Sequence, residues 1–137
     1  MNLKEMLAEL KRTTRITGLK PSDIRIGSGS AMMFYGLRES TGDVDAAVSS
    51  DLFKVLLNDK RFEVIEFKSI ITNTTRSLVR IGKVDFHNED DMPDLRGPTK
   101  DFNGYRVDIP ATILKMKQML GRPKDQADIR LLMDYIE

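Results

Sequence analysis

GSGSAMMFYGLRESTGDVDAAV, residues 27–48, is the stretch that decides the fold of this chain. It contains a glycine and serine turn, a short apolar segment, a second turn, and two carboxylates one residue apart at the start of an apolar run. The apolar segment from 30 to 37 is long enough for about two turns of helix. This order of features suits a site that holds a polyphosphate and a divalent metal together.

The composition limits the classes to which the chain can belong. Its 137 residues allow one domain, 1–137, and 40% hydrophobic with 31% charged residues is typical of a soluble globular protein. With a net charge of +1, bulk charge argues neither for nor against a nucleic-acid partner. Cysteine is absent and His87 is the only histidine, which excludes disulfides, cysteine metal sites and histidine-rich metal sites. No apolar run approaches the roughly 20 residues of a membrane span, and no secretory leader is evident, so we expect a cytoplasmic protein.

The periodicity of apolar residues predicts an α+β domain with a mixed α/β sheet. We expect about five central strands, helices flanking them and two helices at the C-terminal end. The predicted strands are 24–26, 43–48, 61–67, 74–81, 83–87 and 105–109. The predicted helices are 2–17, 30–37, one capped by Ser50 or Asp51, 110–120, and one beginning at Pro123. The polar stretch 88–103, which contains Pro93, is predicted to be a loop.

Three aspartates are the candidate metal ligands. Alternate side chains of a strand share one face, so Asp43 and Asp45 point the same way. Asp85 lies between two apolar residues, and if those face the core, it faces the surface where Asp43 and Asp45 lie. Carboxylates this close repel unless a cation lies between them, and an all-oxygen site suits Mg²⁺. The alternative for a single aspartate in a turn is that it bonds its own backbone.

The turn 27–30 is the candidate phosphate site. Its glycines tolerate the torsions that bring backbone N–H groups around an anion, and Ser28 and Ser30 add hydroxyl donors. The turn is not a P-loop, since no lysine follows. It is not a dinucleotide fingerprint either, since Met32 stands where a third glycine is needed. Taken alone, the turn could also be a flexible connector.

Lys117 and Asp128 fall on the apolar stripes of the last two predicted helices. The stripe of the final helix consists of Leu131, Leu132, Tyr135 and Ile136. Charges in such positions are costly unless they are paired or used, and two interpretations remain open. In one, Lys117 extends to solvent and Asp128 bonds a neighbouring arginine. In the other, Lys117, Arg122 and Lys124 contact a triphosphate while Asp125 and Asp128 orient them.

Taken together, Gly29-Ser30, Asp43-Val44-Asp45 and Asp85 resemble the motifs of the nucleotidyltransferase superfamily with the DNA polymerase beta-like fold. The linker 35–45 and the segment 117–129 are similar to segments of its small prokaryotic and phage-type members. Those members include antibiotic nucleotidyltransferases and toxin–antitoxin proteins. The resemblance extends over residues 24–132, which is nearly the whole domain.

The resemblance implies a catalytic mechanism. Two Mg²⁺ ions would bind to the three aspartates, and a nucleoside triphosphate such as ATP would be the donor. Gly29 and Ser30 would hold the triphosphate with Lys117 as a further contact, and Asp85 would help to activate an acceptor hydroxyl on a small molecule, an RNA end or a protein. A homodimer or a partner protein would complete so small a site.

Two other functions remain open. The chain could be a binding module, antitoxin-like or regulatory, that keeps the fold and binds a nucleotide or a partner without turnover. It could also be an unrelated α+β domain whose aspartates only cap turns. An enzyme must lose activity when Asp43 or Asp45 becomes asparagine, whereas a binding module keeps its partner affinity.

Overall fold

A seven-stranded mixed sheet organises the computed structural model, which describes residues 1–91 and 96–137. Its strands are β1 (Arg25–Ile26), β2 (Val44–Val48), β3 (Glu63–Lys68), β4 (Thr75–Ile81), β5 (Val84–Asn88), β6 (Thr99–Phe102) and β7 (Tyr105–Asp108). They lie in the order β3-β4-β5-β2-β1-β7-β6. β2 is parallel to β5 and β1 is parallel to β7, whereas the other neighbouring pairs are antiparallel. β2, which begins directly after Asp43, is therefore the central strand.

Five α-helices accompany the sheet in the described ranges. They are α1 (Leu3–Thr17), α2 (Ser28–Phe34), α3 (Ser50–Leu57), α4 (Pro110–Leu120) and α5 (Gln126–Ile136). Asn2 caps α1 through reciprocal hydrogen bonds with Glu5. Pro110 begins α4, where its missing N–H costs nothing, and Gly121 ends α4 with a φ of 60° that favours glycine. These local signals explain why the long helices begin and end close to their predicted limits.

The core is a cluster of buried apolar side chains from the helices and the central strands. Its largest fully buried members include Phe86, Met6, Leu10, Ile24, Ile26, Met32, Ile113 and Leu132. In β2 the buried residues Val44, Ala46 and Val48 alternate with half-buried Asp45 and Ala47. One face of the central strand therefore belongs to the core, and the opposite face is available to a site.

The predicted mixed α/β class is confirmed, but the sheet of the described residues has seven strands rather than about five. β6 lies within the stretch 88–103, which was predicted to be a loop, and a 3₁₀ turn forms over Glu89–Asp91 in the same stretch. Pro93 of that predicted loop lies outside the described residues.

A tight hairpin explains the unpredicted strand β6. Phe102 pairs with Tyr105, and the two residues between them, Asn103 and Gly104, have φ values of 56° and 88°. Asn-Gly is a strong hairpin signal because both residues accept positive φ. The polar composition of the surrounding stretch masks this local signal, because it lacks the alternating apolar residues that indicate strands.

Three details of the helices also differ from the predictions. Ser49 caps α3, because its Oγ accepts the backbone N–H of Leu52 at 3.4 Å, so the cap is neither Ser50 nor Asp51. A 3₁₀ turn over Pro123–Asp125 precedes α5, which begins at Gln126. The predicted apolar stripe of the last helix is wrong except at one residue. Leu132 is buried, whereas Leu131, Tyr135 and Ile136 are exposed.

Candidate functional site

A row of polar residues crosses the sheet at the level of Asp45. Asp45 lies opposite Asp85 on β5, and Asp85 lies opposite Arg80 on β4. On the other side, the backbone N–H of Gly27 donates to the carbonyl oxygen of Asp45 at 3.0 Å. Residues directly opposite each other on neighbouring strands project to the same face. The side chains of Asp45 and Asp85 therefore share one face, and Gly27 leaves a gap beside them.

The row continues across Gly27 to Asp108 at the end of β7. Ile26 of β1 lies opposite Val107 of β7, so the residues that follow each of them, Gly27 and Asp108, are neighbours as well. A Cβ on Gly27 would lie 3.1 Å from Oδ2 of Asp108, which shows that this carboxylate leans over the glycine. Since neighbouring strands are about 4.8 Å apart, the backbones of Asp45 and Asp108 are separated by about 10 Å.

The side chain of Ser30 links α2 to the backbone of Asp43 and Asp45 by hydrogen bonds. Its Oγ accepts the backbone N–H of Asp45 at 3.0 Å and donates to the carbonyl oxygen of Asp43 at 3.2 Å. Ser30 is fully buried, whereas Asp43 is exposed and immediately precedes β2. The hydroxyl of Ser30 therefore satisfies two backbone groups, and the predicted contact between Ser30 and a phosphate stays a prediction.

Asp85 is buried under an arginine rather than open to the surface. It is 7% exposed, and Arg80 donates from Nε to its Oδ1 at 2.7 Å and from Nη2 to its Oδ2 at 3.1 Å. Such a two-pronged pair fixes the orientation of the carboxylate. The expectation that Asp85 faces the open surface is wrong, because Arg80 lies directly opposite on β4 and covers the carboxylate. Asp85 does lie beside Asp45, as expected.

Burial and neighbouring charges together set the pKa of Asp45. Burial raises the pKa of Asp45, and the charges of Asp85 and Asp43 raise it further, while His87 and Lys117 act in the opposite direction. A divalent cation at this place would favour the ionised form.

The aspartates supply the right ligands for Mg²⁺ without forming a complete cage. Within residues 1–91 and 96–137, no three histidine, aspartate or glutamate side chains converge closely enough to hold a metal ion as they stand. Mg²⁺, however, is usually bound by one or two carboxylates and completes its shell with water and substrate phosphates. Asp45 and Asp85, side by side on parallel strands, fit a metal that binds together with a phosphate ligand.

The glycine and serine turn is strained at one residue. Ser28 has a φ of 53°, a left-handed conformation that is uncommon outside glycine and that recurs at functional sites. Gly29 is buried, and a Cβ at this position would overlap the guanidinium group of Arg38. The glycine thus lets Arg38 approach the backbone of the turn.

Lys117 is the centre of a buried ion-pair network between α4 and α5. It is 2% exposed, and its Nζ lies 3.3 Å from Oδ1 of Asp125 and 3.1 Å from Oδ2 of Asp128. Arg122 donates to Asp125 at 2.7 Å, and Arg38 lies 3.5 Å from Asp128. The interpretation in which Lys117 extends to solvent is wrong, because two carboxylates replace water around it. The arginine partner expected for Asp128 is Arg38.

A pocket of about 460 Å³ opens beside Asp45 and Gly27. This volume falls within the roughly 300–1,000 Å³ of small-molecule sites. Apolar surface comes from Phe67, Ile70, Ile71, Met116 and Leu120. Positive charge comes from Arg25, Arg96 and Arg122. Negative charge comes from Asp45, Glu89 and Asp108. A pocket with apolar surface and charges of both signs suits a ligand that has a flat apolar part and polar, negatively charged groups.

The predicted site residues are distributed unevenly around this pocket. Asp45, Ser28 and Arg122 line it. Gly29, Ser30, Asp85 and Lys117 are buried, whereas Asp43 and Lys124 are exposed.

Several ionisable lining residues are not among the predicted site residues, namely Arg25, Lys68, His87, Glu89, Arg96 and Asp108. The one available signal was the position of Asp108, a carboxylate at the end of a strand and two residues before the proline that begins a helix.

Comparison of the chain with protein-family models, with curated proteins and with solved structures finds no match. Among the described residues, every helix is too short or too polar to cross a lipid bilayer.

Proposed function

We propose that this chain is a Mg²⁺-dependent nucleotidyltransferase with the polymerase beta-like fold. It transfers a nucleoside monophosphate from a nucleoside triphosphate to a hydroxyl group. The observation that carries the proposal is the position of Asp45, which lies opposite Asp85 on the neighbouring parallel strand and lines the 460 Å³ pocket beside Gly27 and Ser28. A carboxylate at the wall of a pocket, backed by a second carboxylate on the neighbouring strand and accompanied by cationic residues, supports phosphoryl chemistry.

The nucleotide binds in the pocket through complementary surfaces. The apolar side chains Met116, Leu120 and Ile71 contact the base, since a base offers flat apolar faces. Arg122, which is held by Asp125, and the turn at Ser28 contact the phosphates. None of Gly29, Ser30, Lys117 and Lys124 lines the pocket, so their contacts with the triphosphate stay predictions. The charge of Lys117 is paired with two carboxylates, and Lys117 orients Asp125, which in turn holds Arg122.

The aspartates arrange the reacting groups. Asp43, Asp45 and Asp85 would hold Mg²⁺, which when bound would neutralise the triphosphate and stabilise the departing pyrophosphate. The acceptor oxygen forms a bond to the α-phosphorus while the bond from that phosphorus to the bridging oxygen breaks, and pyrophosphate leaves. Asp85 would help to activate the acceptor hydroxyl by drawing off its proton, and two hydrogen bonds from Arg80 fix the orientation of its carboxylate. The acceptor is a small molecule, an RNA end or a protein hydroxyl.

A second candidate function is a non-catalytic nucleotide- or partner-binding protein of the same fold. Two observations favour it: Asp85 is already bonded to Arg80, and Lys117 is already bonded to two carboxylates. Groups satisfied in this way can stabilise a fold without taking part in turnover.

A pyrophosphate-release assay distinguishes the two candidates. Each ribonucleoside triphosphate is incubated with the protein, Mg²⁺ and, separately, a metabolite extract, total RNA or a protein fraction. We expect Mg²⁺-dependent release with one acceptor class, reduced about 100-fold or more in Asp43→Asn and Asp45→Asn. Asp134→Asn, which changes an exposed carboxylate on α5, is the matched control and should keep full activity. If no acceptor gives release and both variants keep the binding of a partner, the binding protein is the correct function.

A further inference from the structure

Asp108 is a buried carboxylate with one oxygen left for a ligand. It is 8% exposed and lines the pocket. Its Oδ1 accepts a hydrogen bond from Nε of Arg25 at 2.7 Å. No hydrogen bond reaches its Oδ2 from any residue in the ranges 1–91 and 96–137, and that oxygen leans over the bare backbone of Gly27. Oδ2 is not among the buried polar atoms without a partner, so it is accessible from the pocket, and a ligand there can donate a hydrogen bond to it.

Arg25 fixes the orientation of the Asp108 carboxylate. Arg25, which bonds Oδ1 of Asp108, also donates from Nη2 to the carbonyl oxygen of Gly97 at 2.9 Å. Because Arg25 has two partners on different segments, it cannot turn away without leaving one of them unpaired. Oδ2 therefore keeps its place above Gly27, on the same face of the sheet as Asp45 and about two strand spacings away.

The chemistry of the surroundings selects the kind of donor. Asp108 is paired with Arg25 and lies in the fields of Glu89 and Arg106. The same pocket is lined by Lys68, Arg96 and Arg122 and by the carboxylates Asp45 and Glu89. Because Oδ1 already has a guanidinium partner, the charge of Asp108 is balanced, and a neutral hydroxyl can donate to Oδ2 without adding a second cation. A nucleotide carries such hydroxyls on its ribose, and a carboxylate is a good acceptor for them.

We propose that Asp108 accepts a hydrogen bond from a ribose hydroxyl of the bound nucleotide, so that the site selects ribonucleotides over deoxyribonucleotides. This inference rests on the proposed nucleotide site and specifies its substrate class. Gly27 has a defined part in it, since its missing side chain keeps Oδ2 accessible.

Calorimetric binding of nucleotide analogues tests the inference. The tightest-binding ribonucleoside triphosphate is compared with its 2′-deoxy and 3′-deoxy forms, in the presence of Mg²⁺. The wild type should lose about 10-fold or more in affinity for at least one deoxy form, because a hydrogen bond to a charged group is lost. Asp108→Asn keeps the shape and the oxygen that faces Arg25 but replaces the free acceptor by an amide, so it should bind ribo and deoxy forms within about threefold of each other.

Gly27→Ala is a second variant that leaves Asp108 in place. Its methyl group would lie 3.1 Å from Oδ2 and shield it, so the preference for the ribo form should fall here too. Asp134→Asn, exposed on α5, is the control and should keep the preference.

Three results overturn the inference. Equal binding of ribo and deoxy forms by the wild type shows that no ribose hydroxyl is recognised, and it leaves the proposed function standing. If Asp108→Asn and Gly27→Ala both keep the preference for the ribo form, another residue recognises the ribose hydroxyl. Absence of any triphosphate binding by folded wild type overturns both this inference and the proposed function.

Discussion

Replacing Lys117 by methionine tests whether the buried ion-pair network holds α5 on the domain. Methionine has a similar length and is apolar, so the change removes the charge and leaves most of the volume. Lys117 bonds Asp125 at 3.3 Å and Asp128 at 3.1 Å, and Asp125 is itself only 3% exposed. Removing one partner of a buried pair costs about 3–5 kcal/mol because the remaining charge stays buried. Asp125 and Asp128 keep Arg122 and Arg38, so we expect the lower limit, about 3 kcal/mol.

The expected change is large enough to measure by two methods. An unfolding entropy of about 2.1 cal/mol/K per residue gives about 290 cal/mol/K for 137 residues, so about 3 kcal/mol lowers Tm by about 10 °C. Urea unfolding followed by circular dichroism gives the same free-energy difference from the shift in midpoint. Lys11→Met on α1 is the matched control, because Lys11 is exposed, and it should change the free energy of unfolding by less than about 0.5 kcal/mol.

The pH dependence of the wild type gives an independent check. Burial opposes ionisation of Asp125, but hydrogen bonds and charges from Arg122 and Lys117 hold the pKa of Asp125 below its ordinary value. Since its pKa is lower in the folded chain, its stabilising contribution is complete above the unfolded value of about 3.9 and is lost as pH falls below it. Lys117→Met should weaken this acid dependence. If Lys117→Met lowers the free energy of unfolding by less than about 1 kcal/mol at pH 7 and leaves the loss of stability at low pH unchanged, Lys117 is not the centre of the ion-pair network.

Three further variants test other parts of the site. Ser30→Ala should lower the free energy of unfolding by about 1–3 kcal/mol in urea unfolding, because it leaves the buried N–H of Asp45 unpaired. An unchanged midpoint would contradict a stabilising role for the hydrogen bonds of Ser30. Asp45→Asn should raise the metal-free stability at pH 7. Burial raises the pKa of Asp45, so ionising it costs stability as pH rises from the unfolded value through the folded one; a gain that persists at pH 3 would contradict this cause. Ser28→Gly should raise the free energy of unfolding by up to about 1 kcal/mol, since glycine accepts a φ of 53° at low cost. Thermal unfolding measures this as a small rise in the midpoint, and a clear fall would mean that the serine side chain stabilises the turn.

Local signals were sufficient for most of the elements. The capped helix α1, the alternating strand β2 and the helix between Pro110 and Gly121 form near their predicted limits because each depends on its own residues. The Asn103-Gly104 hairpin belongs to the same class of signal and was predictable in principle.

The contacts that the sequence could not indicate depend on which strands and helices become neighbours in the fold. Arg80 reaches Asp85 only because β4 and β5 pair in one particular register, and Asp108 meets Gly27 only because β7 returns beside β1. Periodicity carries no information on which strands become neighbours. The burial of Lys117 likewise depends on how α5 folds back on α4.

The most direct test of the proposed function is calorimetric titration with the four ribonucleoside triphosphates, with and without Mg²⁺, on the wild type and on Asp45→Asn. Asp134→Asn serves as the exposed-carboxylate control. We predict Mg²⁺-dependent binding of at least one triphosphate by the wild type and the control, and loss of that binding in Asp45→Asn while the variant remains folded. Binding that is equally strong without Mg²⁺ and in Asp45→Asn, or no binding by folded wild type, would contradict the account.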